Sequence, residues 1–539
     1  MSQIRFEQLS TDCHIGKTIF EHADFLGVKI PTSCYRNGRC HECIVEIKDG
    51  GANLSPPSNK ELFLQENFRL ACQAKVENTF SDIHFGLSRK QRQILTSFTA
   101  QDFEVFPRIT NKNGTVYADN DPLGDYAGFI YGMAIDIGTT TVAFNIVNLE
   151  SGHIIYTGSF ENPQKFGGSD IMRRISYDAS PFCGELQKAI ISSINHEIRN
   201  ACRLLKIRRN HIYEVLVVGN STMRDLFFGL DVQSIGQKPY KSLTEHELYQ
   251  GKRDSTALHS SAQELGIQIS RQGLIYGVPI IASHIGADVA ADLMATKMDV
   301  AEDKVQMLID IGTNTEVVIG NKHGMLAASC PAGPAFEGGE VKHGMPGYSG
   351  AIESITILKD HSVRYKTIDN QSPSGICGSG LIDVIAELRR TGQLNALGVF
   401  MNNSREFLID KKRHITIDRH DLSVLAQAKS ANYCGQYIVA KKYGIQFTNI
   451  ATVFLAGAFA NYINVTNAQS IGLVPAINKN RFVRSGNASL LGATILLLST
   501  KKRQGLQALI KNISHIELET EPDFFDIFVD GCMFQPMTN

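Results

Sequence analysis

A short loop of acidic, glycine and hydroxyl residues occurs twice in this chain, and the fold has to use it twice. Asp136-Ile137-Gly138-Thr139-Thr140-Thr141 follows the apolar run Met133-Ala134-Ile135, and Asp310-Ile311-Gly312-Thr313-Asn314-Thr315 follows Met307-Leu308-Ile309. Each copy reads as a buried strand ending on a carboxylate, then a glycine turn, then a second strand, over 141–147 in one copy and 315–319 in the other. Such a hairpin suits phosphate. Glycine lets the backbone approach an anion, threonine hydroxyls and amides donate to its oxygens, and the aspartate can hold magnesium directly or through water. One Asp-x-Gly after a strand is an ordinary turn, but two copies 174 positions apart imply a duplicated domain with a nucleotide between its halves. Asp136 and Asp310 are therefore the candidate catalytic carboxylates, with Gly138, Thr139, Thr140, Thr141, Gly312, Thr313 and Asn314 as nucleotide-binding candidates.

The N-terminal stretch carries a second chemistry. Cys34, Cys40 and Cys43 have the spacing C-x5-C-x2-C, and Cys72 follows after 28 further residues. Three thiolates on one loop and a fourth from a distant turn can wrap a 2Fe-2S cluster, and plant-type ferredoxins use the related C-x4-C-x2-C…C. The extra residue in the first gap resembles the adrenodoxin-like variant of the ferredoxin family. The surroundings agree: a helix is expected over 16–27, a strand over 44–47, and Arg69-Leu70-Ala71-Cys72-Gln73 is similar to that family's last-ligand turn. Zinc sites more often pair two short knuckles, and here Cys72 stands alone. A Rieske centre needs two ligand histidines in paired motifs, so His14 and His41 are read as polar surface residues, and Cys13 as a small packed residue. Gly16-Lys17-Thr18 looks like the end of a P-loop, but Thr11 stands where the loop needs glycine.

At 539 residues the chain exceeds one core, and its 43% hydrophobic and 20% charged residues are ordinary globular material. A net charge of -1 with no long basic run excludes nucleic acid as the main partner. No signal-peptide pattern or membrane-length apolar run is present, so no membrane association and a cytoplasmic location are expected. Eleven cysteines in that setting point to reduced thiols and metal binding rather than disulfides.

Four units are expected: a ferredoxin-like domain over 1–87, a linker over 88–127, a first ATPase half over 128–300, and a second half with a C-terminal tail over 301–539. The linker reads as a short helix or tether near Lys90-Gln91-Arg92-Gln93, then polar loop over 111–125, a tether that permits movement of the ferredoxin domain. In the first half, Leu186, Ile190, Ile194 and Ile198 lie four apart on one helix face. A strand over 214–218 turns at Gly219-Asn220 into a helix capped by Ser221. Asp288 opens another helix and is either a catalytic or magnesium carboxylate or a residue favoured by the helix dipole. In the second half, residues 330–339 form a structured Gly/Pro loop. Gly375-Ile376-Cys377-Gly378-Ser379-Gly380 is a corner that precedes an amphipathic helix running to about Leu394, so its amides can meet an anion, and Gly457-Ala458 closes a strand where a nucleoside can lie against the backbone. Small residues also serve close packing. The tail, with Phe524, Phe525, Phe528 and Cys532, is expected to close the fold with core aromatics.

The two DxGT-type loops and the later Leu455-Ala456-Gly457-Ala458-Phe459 resemble the actin, sugar kinase and Hsp70 ATPase superfamily. The resemblance implies a multidomain α/β chain: a β-grasp ferredoxin-like domain followed by duplicated ribonuclease-H-like halves. With the cysteine set, NPQKFGGSDI, VVGNSTM, CPAGPAFEGG, GICGSGLID and GNASLLGA, almost the whole chain resembles the reductive activators of corrinoid-dependent methyltransferases. Longer members carry a middle domain before the first phosphate loop, where this chain has fewer than about 50 residues, so partner contacts assigned to that domain are expected to be absent.

That resemblance implies a function and its parts. Cys34, Cys40, Cys43 and Cys72 would hold a 2Fe-2S cluster, ATP and Mg2+ would sit at the two loops, and one electron would return Co(II) to Co(I) on a corrinoid protein. An external low-potential donor would reload the cluster; a homodimer is compatible with the sequence and not required by it. Ferredoxin-type clusters lie near roughly -400 mV, and a further climb of about 150 mV costs about 3.5 kcal/mol for one electron. ATP can offset such a cost only through differential affinity for the two corrinoid states. Three rivals remain: a small-molecule kinase with Asp288 as base and a redox-sensing ferredoxin domain, a nucleotide-gated binding module that consumes no ATP, and an ATP-dependent activator of another low-potential enzyme. Activators of radical dehydratases place a cluster between subunits, and a complete cysteine set in one chain argues against that client.

Overall fold

The computed structural model describes residues 2–65, 67–87, 104–401, 404–457 and 460–538. It divides into two compact units, one running to Ala287 and including Leu496–Thr500, the other comprising Asp288–Ile495 and Lys501–Asn539.

The first unit begins with a β-grasp domain. Strands Gln3–Phe6, Leu9–Asp12, Ile44–Asp49, Phe68–Leu70 and Ile83–Leu87 form one sheet, in which the first strand runs parallel to the last and the other pairings are antiparallel. The helix Ile19–Phe25 buries Ile19, Phe20 and Ala23 against Ile4, Val45, Ile47 and Phe85. It starts where it does because Thr18 and Glu21 make a reciprocal capping box.

The same unit holds the first phosphate hairpin, in a six-stranded sheet. Its spatial order is Ile154–Glu161, Thr141–Asn148, Tyr131–Ile137, Ile212–Gly219, Leu274–Gly277, Leu258–Ser261. The strand Ile212–Gly219 is buried at every position, so its sequence is almost continuously apolar. The helix Glu185–Leu205 packs Leu186, Ile190, Ile194 and Ile198 into this core, as their spacing predicts.

In the second unit five strands repeat that order: Gly324–Cys330, Thr315–Asn321, Gln306–Ile311, Thr452–Ala456, Phe482–Gly486. In both sheets the hairpin's first strand pairs antiparallel with its partner and parallel with the strand on its other side. The second copy adds Ile513–His515 at its edge and carries the long helices Gly378–Arg390 and Arg419–Tyr443.

Several expectations change. Residues 111–125 are not loop: Ile109–Lys112, Thr115–Ala118 and Asp121–Asp125 form a three-stranded antiparallel sheet, with Asn113 and Gly114 at one turn and Asp119 at the other taking positive φ. The tether near Lys90 lies outside the described residues. Asn220, not Ser221, caps the helix Ser221–Phe228, because the Asn220 side chain accepts the Met223 amide, while the Ser221 hydroxyl donates to Ala282 O. In the tail, 501–539, Phe534 is a buried aromatic, with Leu506, Leu509, Leu518, Ile527 and Met537 also buried; of the aromatics singled out there, Phe525 is 73% exposed, and Phe524 and Phe528 only lean on the core. Among the described residues no helix is long and apolar enough to cross a membrane.

Candidate functional sites: a thiol loop and two phosphate hairpins

The thiol loop is built by backbone conformation. Tyr35, Arg36, Gly38 and His41 all take positive φ, which turns successive amides toward the sulfurs. Amides of Arg39, Cys40 and Asn37 reach Cys34, that of Gly38 reaches Cys72, and those of Ser33 and Glu42 reach Cys40. The thiols gather two by two: Cys43 and Cys72 lie 3.4 Å apart, and Cys34 interacts with Cys40. The Cys43 thiol's hydrogen bond lowers Cys72 to about 6, whereas Cys43 itself is raised by that bond and by burial. Burial would raise Cys34 too, but the amides and the Cys40 thiol bring it down to about 7. Among the described residues no three thiol, imidazole or carboxylate groups converge closely enough for a single ion. Two thiol pairs with amides aimed at their sulfurs fit a binuclear 2Fe-2S centre, each pair serving one iron.

One side of this loop is open and the other is held. Tyr35 is 97% exposed. Glu42, between Cys40 and Cys43, has a side chain only 1% exposed, whose Oε1 accepts from Ser33 Oγ at 2.7 Å, Arg199 Nη2 at 2.9 Å and Ser192 Oγ at 3.3 Å. Ser192 Oγ also donates to Cys40 O at 2.6 Å, and His196 Nδ1 is 3.7 Å from Glu42 Oε2. Burial alone would raise the Glu42 carboxyl, but His196, Ser33 and Arg199 hold it down at about 2. His41 is not a surface residue: its ring stacks on Phe63 at 4.2 Å and its Nδ1 is 3.2 Å from Glu185 Oε2. Phe63 in turn meets Phe166 edge-on and accepts the Tyr177 hydroxyl at its carbonyl. The ferredoxin-like domain is thus docked on the first half by its thiol loop.

The first phosphate hairpin is locked from below. Gly138 N donates to Thr141 O, Asn162 N donates to Thr140 O, and Asn162 Nδ2 donates to Gly138 O. Asn220 Nδ2 donates to Thr139 Oγ1 at 3.1 Å. Arg174, fully buried, gives Nη2 to Thr139 O at 2.7 Å and Nε to Gly168 O at 3.0 Å; burial lowers its guanidinium to about 9. Asn162, Arg174 and Asn220 were not singled out from sequence. Asn162 and Asn220 at least sit inside motifs that were, whereas a lone arginine in a helix leaves no signal. Asp136, the last residue but one of its strand, is half-buried beside this turn.

The second hairpin gathers carboxylates. Gly312 N donates to Asn314 O, Thr313 Oγ1 donates to Glu337 Oε1 at 3.0 Å, and Gly333 N donates to Thr313 O, so the 330–339 loop lies against the phosphate turn. Asp310 is raised to about 6 by burial, with the Glu337 charge adding and an Asp292 hydrogen bond opposing. Asp288 is raised to about 7 by burial and by Asp310, and Glu316 is raised well above its ordinary value by burial, Asp288 and Asp310. Glu316 and Glu337 were missed; Glu316 follows the Thr315 of the motif directly and reads as an ordinary strand residue. These groups act on one another without forming a ready cage. Magnesium needs none, because it binds through one or two carboxylates plus substrate phosphates.

Gly457 belongs to this turn. Its φ is +105°, and a Cβ there would stand 2.2 Å from Ile311 O and 3.0 Å from Asp310 Oδ1. Gly219 repeats the relation in the first unit, where a Cβ would stand 2.6 Å from Ile137 O. Ala458 lies outside the described residues. Gly378, expected in a corner ahead of a helix running to about Leu394, is instead the buried first residue of the helix Gly378–Arg390, while Gly380 serves packing, since a Cβ there would stand 2.3 Å from Ile352 O.

Three family models match in sequence along the chain. A 2Fe-2S iron-sulfur cluster binding domain covers residues 4–77, the RACo middle region covers 131–301, and the C-terminal ASKHA domain of RACo covers 304–539. The chain is 28% identical over 576 residues to the corrinoid activation enzyme RamQ of Eubacterium limosum, covering 94% of this chain and 95% of that one. It is 22% identical over 426 residues to the [Co(II) methylated amine-specific corrinoid protein] reductase of Methanosarcina barkeri, covering 74% and 76%. A solved reductive activator for corrinoid, iron-sulfur protein superposes with TM-score 0.72 at 28% identity over 99% of both chains. No domain is therefore missing relative to that structure, and the middle region corresponds to the half that carries the first hairpin. The chain belongs to the RACo family, with a 2Fe-2S ferredoxin domain ahead of the RACo middle region and an actin/sugar kinase/Hsp70-type domain at its C-terminal end.

Proposed function

We propose that this protein is an ATP-dependent reductive activator, returning one electron to the Co(II) corrinoid of a methyltransferase corrinoid protein and restoring Co(I). The observation that carries this reading is the docking, in one compact unit, of a paired four-thiol loop onto a half that bears a phosphate hairpin. The relatives named above act, by their names, on corrinoid proteins. Cys34, Cys40, Cys43 and Cys72 hold the cluster, which when bound supplies a one-electron carrier. The turns at Gly138–Thr141 and Gly312–Asn314 receive phosphate oxygens through amides and hydroxyls. Each of Asp136 and Asp310 would hold magnesium beside its own turn, and in the second unit that charge would return the raised Asp310, Asp288 and Glu316 carboxyls to their ionised forms. Gly457 lets the nucleoside approach the strand end, and Gly378 offers helix amides. An external low-potential donor reloads the chain after each turnover.

A small-molecule kinase is the second reading, in which Asp288, at the start of the helix Ala287–Ala295 and close enough to Asp310 to feel its charge, is the base. Anaerobic electron paramagnetic resonance of a Co(II) corrinoid protein mixed with the reduced activator separates the two. Loss of the Co(II) signal on adding ATP, with phosphate released, supports activation. A persistent Co(II) signal with a phosphorylated small molecule among the products overturns it.

A further inference from the structure

The helix Glu185–Leu205 meets the thiol loop with one face. Glu185, Ser192, His196 and Arg199 fall within roughly 60° of one another at 100° per residue, opposite the stripe of Leu186, Ile190, Ile194 and Ile198 that enters the core. At the centre of that contact is Glu42, two residues from Cys40 and one from Cys43, with Arg199 at 2.9 Å. Glu42 belongs to the ferredoxin domain and its counter-charge belongs to the nucleotide-binding half. In a low-dielectric interior a fixed charge this close acts strongly on any neighbouring charge that changes.

We propose that Glu42 and Arg199 are a potential-setting pair: the carboxylate disfavours addition of an electron at the four cysteines, the guanidinium offsets it, and the nucleotide-binding half thereby governs how strong a reductant the ferredoxin domain is. Reduction adds one negative charge at the thiolate centre and transfers no other group, so the pair acts by charge alone. Ser192 and Ser33 position Glu42 by donating to its Oε1, and Ser192 ties the same helix to the Cys40 carbonyl. A small shift of the helix against the loop would change the offset without moving a thiol.

The inference rests on the 2Fe-2S reading of the cysteines, and its test keeps the two apart. Full-length wild type, Glu42→Gln, Arg199→Gln, the double variant and Arg199→Lys are loaded with iron and sulfide, and their midpoint potentials are read by redox titration with no corrinoid protein present. Glu42→Gln should shift the potential upward and Arg199→Gln downward, while the double variant and Arg199→Lys return toward wild type. Should Glu42→Gln fail to assemble, the Gln and Lys variants at Arg199 still decide the sign. Shifts of the same sign in both single variants, as a merely loosened and more exposed loop would give, overturn the inference, as do unchanged potentials throughout. A wild-type protein that never shows a 2Fe-2S spectrum overturns the cysteine assignment and this inference with it.

Discussion

At the scale of single residues, the two hairpins depend on atoms that have no room to move. Gly457→Ala would place a methyl group 2.2 Å from Ile311 O at a φ that L-residues avoid. Overpacking of this kind costs about 1–3 kcal/mol, so ATP affinity measured by titration calorimetry should fall about fivefold or more. Gly505, in the helix Thr500–Ile510 with nothing within 4 Å of a built Cβ, is the control. Alanine there should leave affinity unchanged and stabilise the protein by about 0.5–1 kcal/mol. A second residue predicts a pH dependence. Lys429 is buried, gives Nζ to Met533 O at 2.7 Å and Ile471 O at 3.1 Å, and is lowered to about 7 by burial. Its folded value lies below that of the unfolded chain, near 10.4. The unfolded state therefore binds more protons between those values, and stability rises with pH across that window. Melting temperature should increase from pH 7 to pH 9, and Lys429→Met should flatten the slope; a slope unchanged by the substitution would remove Lys429 as its source.

At the scale of elements, the segment from Asn162 to Asp178 has two duties. One end grips the first phosphate turn through Asn162 and Arg174, and the other grips the ferredoxin domain through Phe166, Tyr177 and the Lys165–Glu46 pair. Tyr177→Phe removes only the hydroxyl that donates to Phe63 O. Loss of such a bond costs about 1–3 kcal/mol when the acceptor stays buried, so hydrogen exchange at the Phe63 loop should speed up about five- to a hundredfold with the first phosphate turn unaffected. Protection that stays at the wild-type level would show that the docking does not use this bond. The sequence displayed these elements unevenly. Helix Glu185–Leu205 was legible because its apolar stripe has a clear period, and the hairpins because glycine and threonine must follow the strand. The face that meets the ferredoxin domain was not, because Glu185, Ser192, His196 and Arg199 look like any solvated stripe until a partner surface is present. The sheet at 109–125 was hidden by its turn residues, which outnumber its apolar ones.

At the scale of the whole molecule, the two halves share a five-strand order, a hairpin ending on Asp136 or Asp310, and a glycine against the Ile137 or Ile311 carbonyl. Duplication was visible in the sequence from the hairpins alone. The matching glycines Gly219 and Gly457 were not, since each lies far along the chain from the carbonyl it must approach. The halves have also diverged: Asp288, Asp310 and Glu316 interact in the second unit, whereas the first puts a buried Arg174 under its turn. Joined to a ferredoxin domain held at its thiol loop, this is a chain in which nucleotide chemistry and electron transfer share one framework. The direct test is anaerobic visible spectroscopy of a purified Co(II) corrinoid protein with this protein and a low-potential reductant, with and without ATP. Co(I) should form only with ATP, and should fail to form with Cys40→Ala or with Asp310→Ala. A cluster that reduces normally while cobalt stays Co(II) with ATP, across several corrinoid proteins, would contradict the account.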